Sequence, residues 1–244
     1  IIVGRKLGTE ALAAVGSASS ITAVFVQLAT GLALGGSIVI AQYFGAGKTE
    51  KIWQCTTTST IFSAGIALVS TVVICIGAGP LLRFVNTPEE ILAMGTDYLR
   101  FYFLGCVPIF VYNALNGVYV ALGDSKTPLK FLIISSVFNV LLDLFFIIVL
   151  HWGVIGAALA TAISQLAAAF MAMRYIPKLL GEFERDKELP LFDRKLLRTM
   201  LRFALPSALQ QSIVSVGSVV VQATINSFGA AVIAGSAAAA KVVN

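Results

Sequence analysis

Phe131 to Leu150 reads FLIISSVFNVLLDLFFIIVL, twenty residues of Phe, Leu, Ile and Val interrupted only by Ser135, Ser136, Asn139 and Asp143. A run of this length crosses the hydrocarbon core of a bilayer as one helix, which takes about 20 apolar residues. Asp143 sits well inside it. A charged side chain at the bilayer centre costs roughly 2.5–3.5 kcal/mol on insertion scales, so an acid kept there faces a cavity and binds a cation or a proton.

The rest of the chain is built for the same solvent. Hydrophobic residues make up 58% of the 244 and charged residues 12%, and the mean hydropathy is +0.91, values that ordinary water-soluble domains do not combine. Stretches with few or no charges run over 11–47, 52–82, 101–123, 131–150, 154–173 and 203–240. They predict six complete spans and the beginning of a further helix. Long continuous runs favour helices over barrel strands, which alternate in segments of about 10 residues. The expected fold class is therefore all-α, a polytopic membrane protein.

Charge orients it. The formal net charge is +5, but the basic residues are spread by loop rather than gathered into a patch for nucleic acid, so no nucleic-acid partner is expected. Lys48 and Lys51, Lys126 and Lys130, and Arg174, Lys178, Arg185, Lys187, Arg194, Lys195, Arg198 and Arg202 account for twelve of the seventeen Lys and Arg, all on alternate connections. The positive-inside rule places the loops at 45–51, 123–130 and 174–202 in the cytoplasm of a multi-pass cell-membrane protein.

Chemistry-bearing clusters are lacking. Cys55, Cys75 and Cys106 stand singly in apolar segments without metal-ligand spacing and read as small buried hydrophobes. Nothing resembles a catalytic dyad, a P-loop or a serine–histidine pair, and His151 lies in the short HWG turn at His151–Gly153, so the chain reads as no enzyme. Residues 177–202 (PKLLGEFERDKELPLFDRKLLRTMLR) form the one long polar stretch. Its part from Phe192 to Arg202 is amphipathic and is expected to lie on the cytoplasmic surface against anionic lipid.

Leu7-Gly8-Thr9-Glu10-Ala11-Leu12-Ala13 and Phe228-Gly229-Ala230-Ala231-Val232-Ile233-Ala234 share an order of residue types, as a duplicated transporter would at equivalent turns of its two halves. The chain begins on Ile1 and ends on Asn244 in apolar sequence, and reads as an excerpt of a longer protein. The expected organisation is an N-terminal lobe over 1–180, a cytoplasmic linker over 181–202 and the start of a second lobe over 203–244.

Five stretches in register carry a family resemblance: IVGRKLGTEALAAVG, GGSIVIAQYFGAGKTEK, NALNGVYVALGDSKTP, FNVLLDLFFI and GVIGAALATAISQ. Together they resemble the multidrug and toxic compound extrusion (MATE) transporters over nearly the whole chain. The resemblance implies two six-helix lobes, of which this chain holds the end of helix 1, helices 2 to 6, helix 7 and the beginning of helix 8. It implies a cavity between the lobes, and export of organic cations or other amphiphiles in antiport with Na+ or H+, by a protein that is a monomer when full length. No cofactor is implied beyond the coupling ion.

The ion site can be approached from the residues. Asn139 and Asp143 are four apart and project from one helical face, so an amide oxygen and a carboxylate can converge on one hard cation, Na+ if the protein is sodium-coupled. The resemblance adds Thr161 from the sixth helix and Tyr98 near the outer end of the fourth. It also implies an acid on the first helix, ahead of Ile1.

Gln27, Asn113, Asn116, Gln165 and Gln210 are polar residues inside apolar runs and are candidates for the wall of a substrate cavity. Tyr112, Tyr119 and Phe138 could supply its apolar surface, since pockets for amphiphiles are mostly apolar with a few polar groups. Two other functions compete. A flippase for lipid-linked oligosaccharides would want a cationic cavity, yet no Lys or Arg occurs within 11–47, 131–173 or 203–240. A non-transporting membrane component would leave Asp143 as a structural acid bonded between helices.

Overall fold

The computed structural model describes residues 7–85, 87–183 and 190–227. The repeat at 228–234, the end of the span expected to reach residue 240, the turn residues 1–6, and Arg185 and Lys187 lie outside them. Every regular element described is helical: α1 (Gly8–Gly45), α2 (Ile52–Phe84), α3 (Glu89–Leu104), α4 (Cys106–Ala121), α5 (Lys126–Leu144), α6 (Gly153–Leu179) and α7 (Arg194–Ser227), with short 3-10 turns at Thr49–Lys51 and Leu180–Glu182. Four helical segments, Glu10–Gly45, Thr49–Phe84, Lys126–Val149 and Gly153–Glu182, are each long and apolar enough to cross a membrane, and α3 with α4 forms a fifth span bent by 48°.

That bend departs from the single span expected over 101–123. A Cβ on Gly105 would lie 2.6 Å from Ala162 Cα of α6, so only glycine lets the two backbones meet there. Pro108 follows three residues later and offers no N–H to the carbonyl of Leu104. The chain breaks at Gly105, whose N–H turns back to Tyr102 O at 2.9 Å.

α4 is the centre of the bundle, with α1, α2 and α6 packed around it. Its buried residues belong to two clusters. One holds Phe103, Cys106, Ile109 and Phe110 with Ile74 and Leu99, and the other holds Leu115, Val118 and Tyr119 with Ile40, Ile52 and Ala172. Tyr119 was a candidate for a cavity wall; instead it is 0% exposed and its hydroxyl donates to Ala172 O of α6 at 2.7 Å, tying α4 to α6.

α5 packs chiefly on α6. Most of its remaining surface is exposed Leu, Ile and Val, including Leu132, Ile133, Ile134, Val137 and Leu141, as a helix bordered by lipid requires. Beyond Leu144 the α-helical ladder widens into a π turn over Phe145–Val149, closed by Leu150 N–H to Phe145 O at 3.1 Å. The Phe146 and Trp152 rings then stack at 5.1 Å across the HWG turn.

The described residues just before α7, 190–193, dock on α2. Gln54 Nε2 donates to Pro190 O at 3.2 Å, Asp193 N–H donates to the buried Thr58 hydroxyl at 3.1 Å, and the Asp193 carboxylate caps α7 by accepting the N–H groups of Lys195 and Leu196. The helix therefore starts at Arg194. Its Leu196 and Met200, 6% and 3% exposed, insert into the α2 and α4 cluster. α7 then runs along α1, where a Cβ on Gly35 would lie 2.5 Å from Ala204 Cβ and 2.6 Å from Met200 O. The lysine- and arginine-rich connections gather at this end of the bundle, the end that the charge bias assigns to the cytoplasm.

Candidate functional site

Asn139 and Asp143 lie on the same side of α5, and α6 supplies the opposing surface. Asn139 Nδ2 donates to Thr161 Oγ1 across a long 3.5 Å contact. The Thr161 hydroxyl proton is engaged by Ala157 O at 3.1 Å, which leaves its lone pairs directed at Asn139. One turn on, Asp143 Oδ1 is buried and accepts no hydrogen bond among the described residues. A buried carboxylate oxygen without a partner is costly in an apolar setting, and a proton or a cation would satisfy it. The π turn begins two residues beyond Asp143, and such interruptions are frequent at functional sites.

Tyr98 reaches this region from α3. It is 8% exposed and stacks on Tyr102 with ring centroids 5.9 Å apart. Tyr102 opens onto something else, a cavity of about 410 Å3.

This cavity exists because α5 leans on α6 and stands off α1 and α4. It is lined by Tyr112, Asn113, Asn116 and Gln165, four of the residues expected there, together with Val26, Tyr102, Ile109, Ser125, Pro128, Leu129 and Leu132. Ile109, Tyr112, Asn113 and Asn116 recur at helical spacing and give α4 a polar stripe on one face. Two of these groups are already committed. Tyr112 Oη donates to Pro128 O at 2.9 Å and Asn113 Nδ2 to Ile109 O at 2.9 Å. The other expected residues lie outside this lining: Tyr119 is buried in the core, Gln27 is half-buried on α1, Phe138 is exposed on α5 and Gln210 is exposed on α7.

Tyr102 was missed, although its place one helical turn from Tyr98 puts both rings on one face. Val26, Leu129 and Leu132 carry no signal of their own, since an apolar side chain facing a cavity reads like one facing lipid. The cavity wall is apolar with uncharged polar groups, and among its lining residues there is no Lys, Arg, Asp or Glu. Such a surface has the make-up of a pocket for an amphiphile and offers no cationic side chain to a pyrophosphate. Among the described residues no three His, Cys, Asp or Glu side chains come together as a metal cluster.

Comparison with known proteins agrees with this architecture. The MatE family model matches residues 1–145. The "probable multidrug resistance protein YoeA" of Bacillus subtilis (strain 168) is 31% identical over 234 residues, covering 93% of this chain and 50% of its own length. The "probable multidrug resistance protein YpnP" of the same organism is 30% identical over 240 residues, 96% of this chain and 52% of its own. Among solved structures, that of MATE in the bent conformation superimposes with a TM-score of 0.86 at 27% identity, over 99% of this chain and 54% of that one. The chain thus spans about half the length of the curated relatives it matches. The relatives are named as multidrug resistance proteins, and the chain is a multi-pass membrane protein whose fold superimposes on that of MATE. It belongs to the MatE family, the multidrug and toxic compound extrusion transporters.

Proposed function

We propose that this chain forms the ion-coupling part of a secondary active transporter, which exports organic cations or amphiphilic drugs in antiport with Na+ or H+ by alternating access. The observation that carries the reading is the buried, unpartnered Asp143 carboxylate oxygen beside the Asn139–Thr161 contact. Through the stacked Tyr98 and Tyr102 it adjoins a cavity of drug-pocket size. The names of the relatives as multidrug resistance proteins support the substrate class.

In this account Asp143, Asn139 and Thr161 hold the coupling ion, with Tyr98 at its edge, and Tyr112, Asn113, Asn116 and Gln165 receive the substrate. Ion occupancy favours one arrangement of the helices and substrate the other, so downhill ion movement drives export. Tyr98 and Tyr102 are the proposed physical link, because the two rings stack and Tyr102 lines the cavity. The uncharged cavity favours an amphiphile over a lipid-linked pyrophosphate.

The test is transport of ethidium, an amphiphilic cation, by the intact protein in proteoliposomes under an imposed gradient of Na+ or of protons. One gradient is expected to drive ethidium movement and its collapse to stop it. Movement that neither gradient alters would sink the antiport reading.

A further inference from the structure

At the end of the bundle away from the lysine-rich loops, α2 and α3 border a groove of about 450 Å3 that shares no residue with the cavity. Both helices change character at one level there. On the exposed side of α2, Val69, Val72, Val73 and Ile76 give way to Pro80 and Arg83, and on α3 the exposed Leu104 gives way to Arg100, Asp97 and Ala93. Arg100 and Cys75 share that level, because Arg100 Nε donates to Cys75 O at 3.2 Å. Its depth can be read from Trp53 at the other end of α2, whose indole N–H donates to Leu180 O at 3.2 Å, the placement of a ring at the membrane–water boundary. From Trp53 to Cys75 is about six helical turns, roughly 33 Å, against about 30 Å for a hydrocarbon core. The groove therefore begins where acyl chains end and headgroups start.

Its charges are only half paired. Arg83 Nε meets Glu89 Oε1 at 3.1 Å, the one salt bridge among the described residues. Asp97 and Arg100 stand one turn apart on α3 and both line the groove, yet among the described residues neither forms an ion pair with the other or with a further side chain. Arg100 commits one of its five N–H donors to Cys75 O. What remains is a free guanidinium edge and a free carboxylate, side by side at headgroup depth. The fitting ligand carries one negative and one positive group.

We propose that this groove binds the headgroup of phosphatidylethanolamine from the leaflet opposite the lysine-rich loops. The phosphate accepts the terminal N–H groups of Arg100, the primary ammonium donates to the Asp97 carboxylate, and the acyl chains run past Ile76 and Leu104. Side chains three apart on a helix start about 5–6 Å from each other, a gap that a phosphate and an ammonium joined by two methylenes can bridge. Both contacts are charge-assisted hydrogen bonds. An anionic headgroup would bring no cation to Asp97, and a choline headgroup has no N–H to donate.

The test is headgroup preference. The intact protein is placed in nanodiscs holding equal amounts of phosphatidylethanolamine, phosphatidylcholine and phosphatidylglycerol with the same acyl chains, and native mass spectrometry reads which lipids stay bound. Phosphatidylethanolamine is expected to be retained in about three- to tenfold excess over either competitor, the effect of one net hydrogen bond, and the excess is expected to fall as the amine is methylated step by step. Asp97→Asn is expected to remove the preference for ethanolamine over choline, and Arg100→Gln to lower retention of phosphatidylethanolamine itself. Ala93→Phe, at an exposed position on the groove wall, is expected to abolish the preference by bulk alone, and it carries the test if a charge variant fails to fold by circular dichroism. Retention of the three lipids in proportion to their abundance would overturn the proposal. A preference that persists unchanged in Asp97→Asn and Ala93→Phe would overturn it too, by placing the selective site elsewhere.

Discussion

Asp143 and Asp124 are the acids near the two ends of α5, and what separates them is their partners. Asp124, in the turn before α5, accepts the N–H of Thr127 at 3.0 Å and caps that helix. Partial burial alone would raise its carboxyl; the Thr127 side-chain and backbone hydrogen bonds, the Lys126 N–H and the Lys130 charge outweigh it and hold the group below its ordinary value of 3.8. Because the folded state binds the proton more weakly than the unfolded chain, Asp124 stabilises α5 fully at neutral pH. The contribution fades as pH falls past 3.8 and is gone below the lowered folded value. Asp124→Ala should lower stability by about 1 kcal/mol at pH 7, and the gap from the parent protein should close on acidification, as thermal unfolding in detergent would register. Asp143 has no such set of donors. Its position four residues after Asn139 was readable at once, because helical spacing is local information. That Thr161 faces Asn139 across α6 was available only through family resemblance, since no local pattern says which helices touch.

At the scale of helices, hydropathy located four of the six expected spans as single helices and a fifth as the bent pair α3 and α4, because insertion in lipid is decided by long averages over each segment. Breaks and starts were harder. The kink at Gly105 depends on Ala162 arriving from α6, and the start of α7 depends on Asp193 finding Thr58 of α2; both are contacts between residues distant in sequence. Gln27 and Gln210 lie outside the lining of the cavity within this chain, since a polar side chain on a membrane helix can face a neighbour as readily as a cavity. The close packing of α1 on α7 makes a sharp prediction. With Ala204 Cβ and Met200 O at 2.5 and 2.6 Å from a Cβ on Gly35, Gly35→Val must push the two helices apart, at a cost of about 1–3 kcal/mol. A thermal-stability measurement on the purified protein that finds Gly35→Val as stable as the parent would refute the contact.

For the whole molecule, the arrangement separates three tasks. α5 and α6 hold the acid, α4 presents the polar stripe of the cavity, and the basic end of the bundle anchors α7 against α1 and α2. If the division is real, substrate and ion can be perturbed separately. Asn116→Leu and Gln165→Leu should change which amphiphiles are exported, with shifts in relative transport of about tenfold or more where a lost hydrogen bond had been made, and should leave the response to the ion gradient intact. Parallel efflux assays with ethidium and an uncharged dye would check it.

The most direct measurement concerns Asp143 itself: gradient-driven ethidium efflux by intact Asp143→Asn protein in proteoliposomes, with insertion verified by protease protection of the lysine-rich loops. The amide keeps the size of the carboxyl and removes its charge, so ion-driven efflux should fall by on the order of 10- to 100-fold, the scale of a coupling free energy, while the protein remains inserted. Efflux at the parent's rate under the same gradient would remove Asp143 from the coupling mechanism and leave it a structural acid.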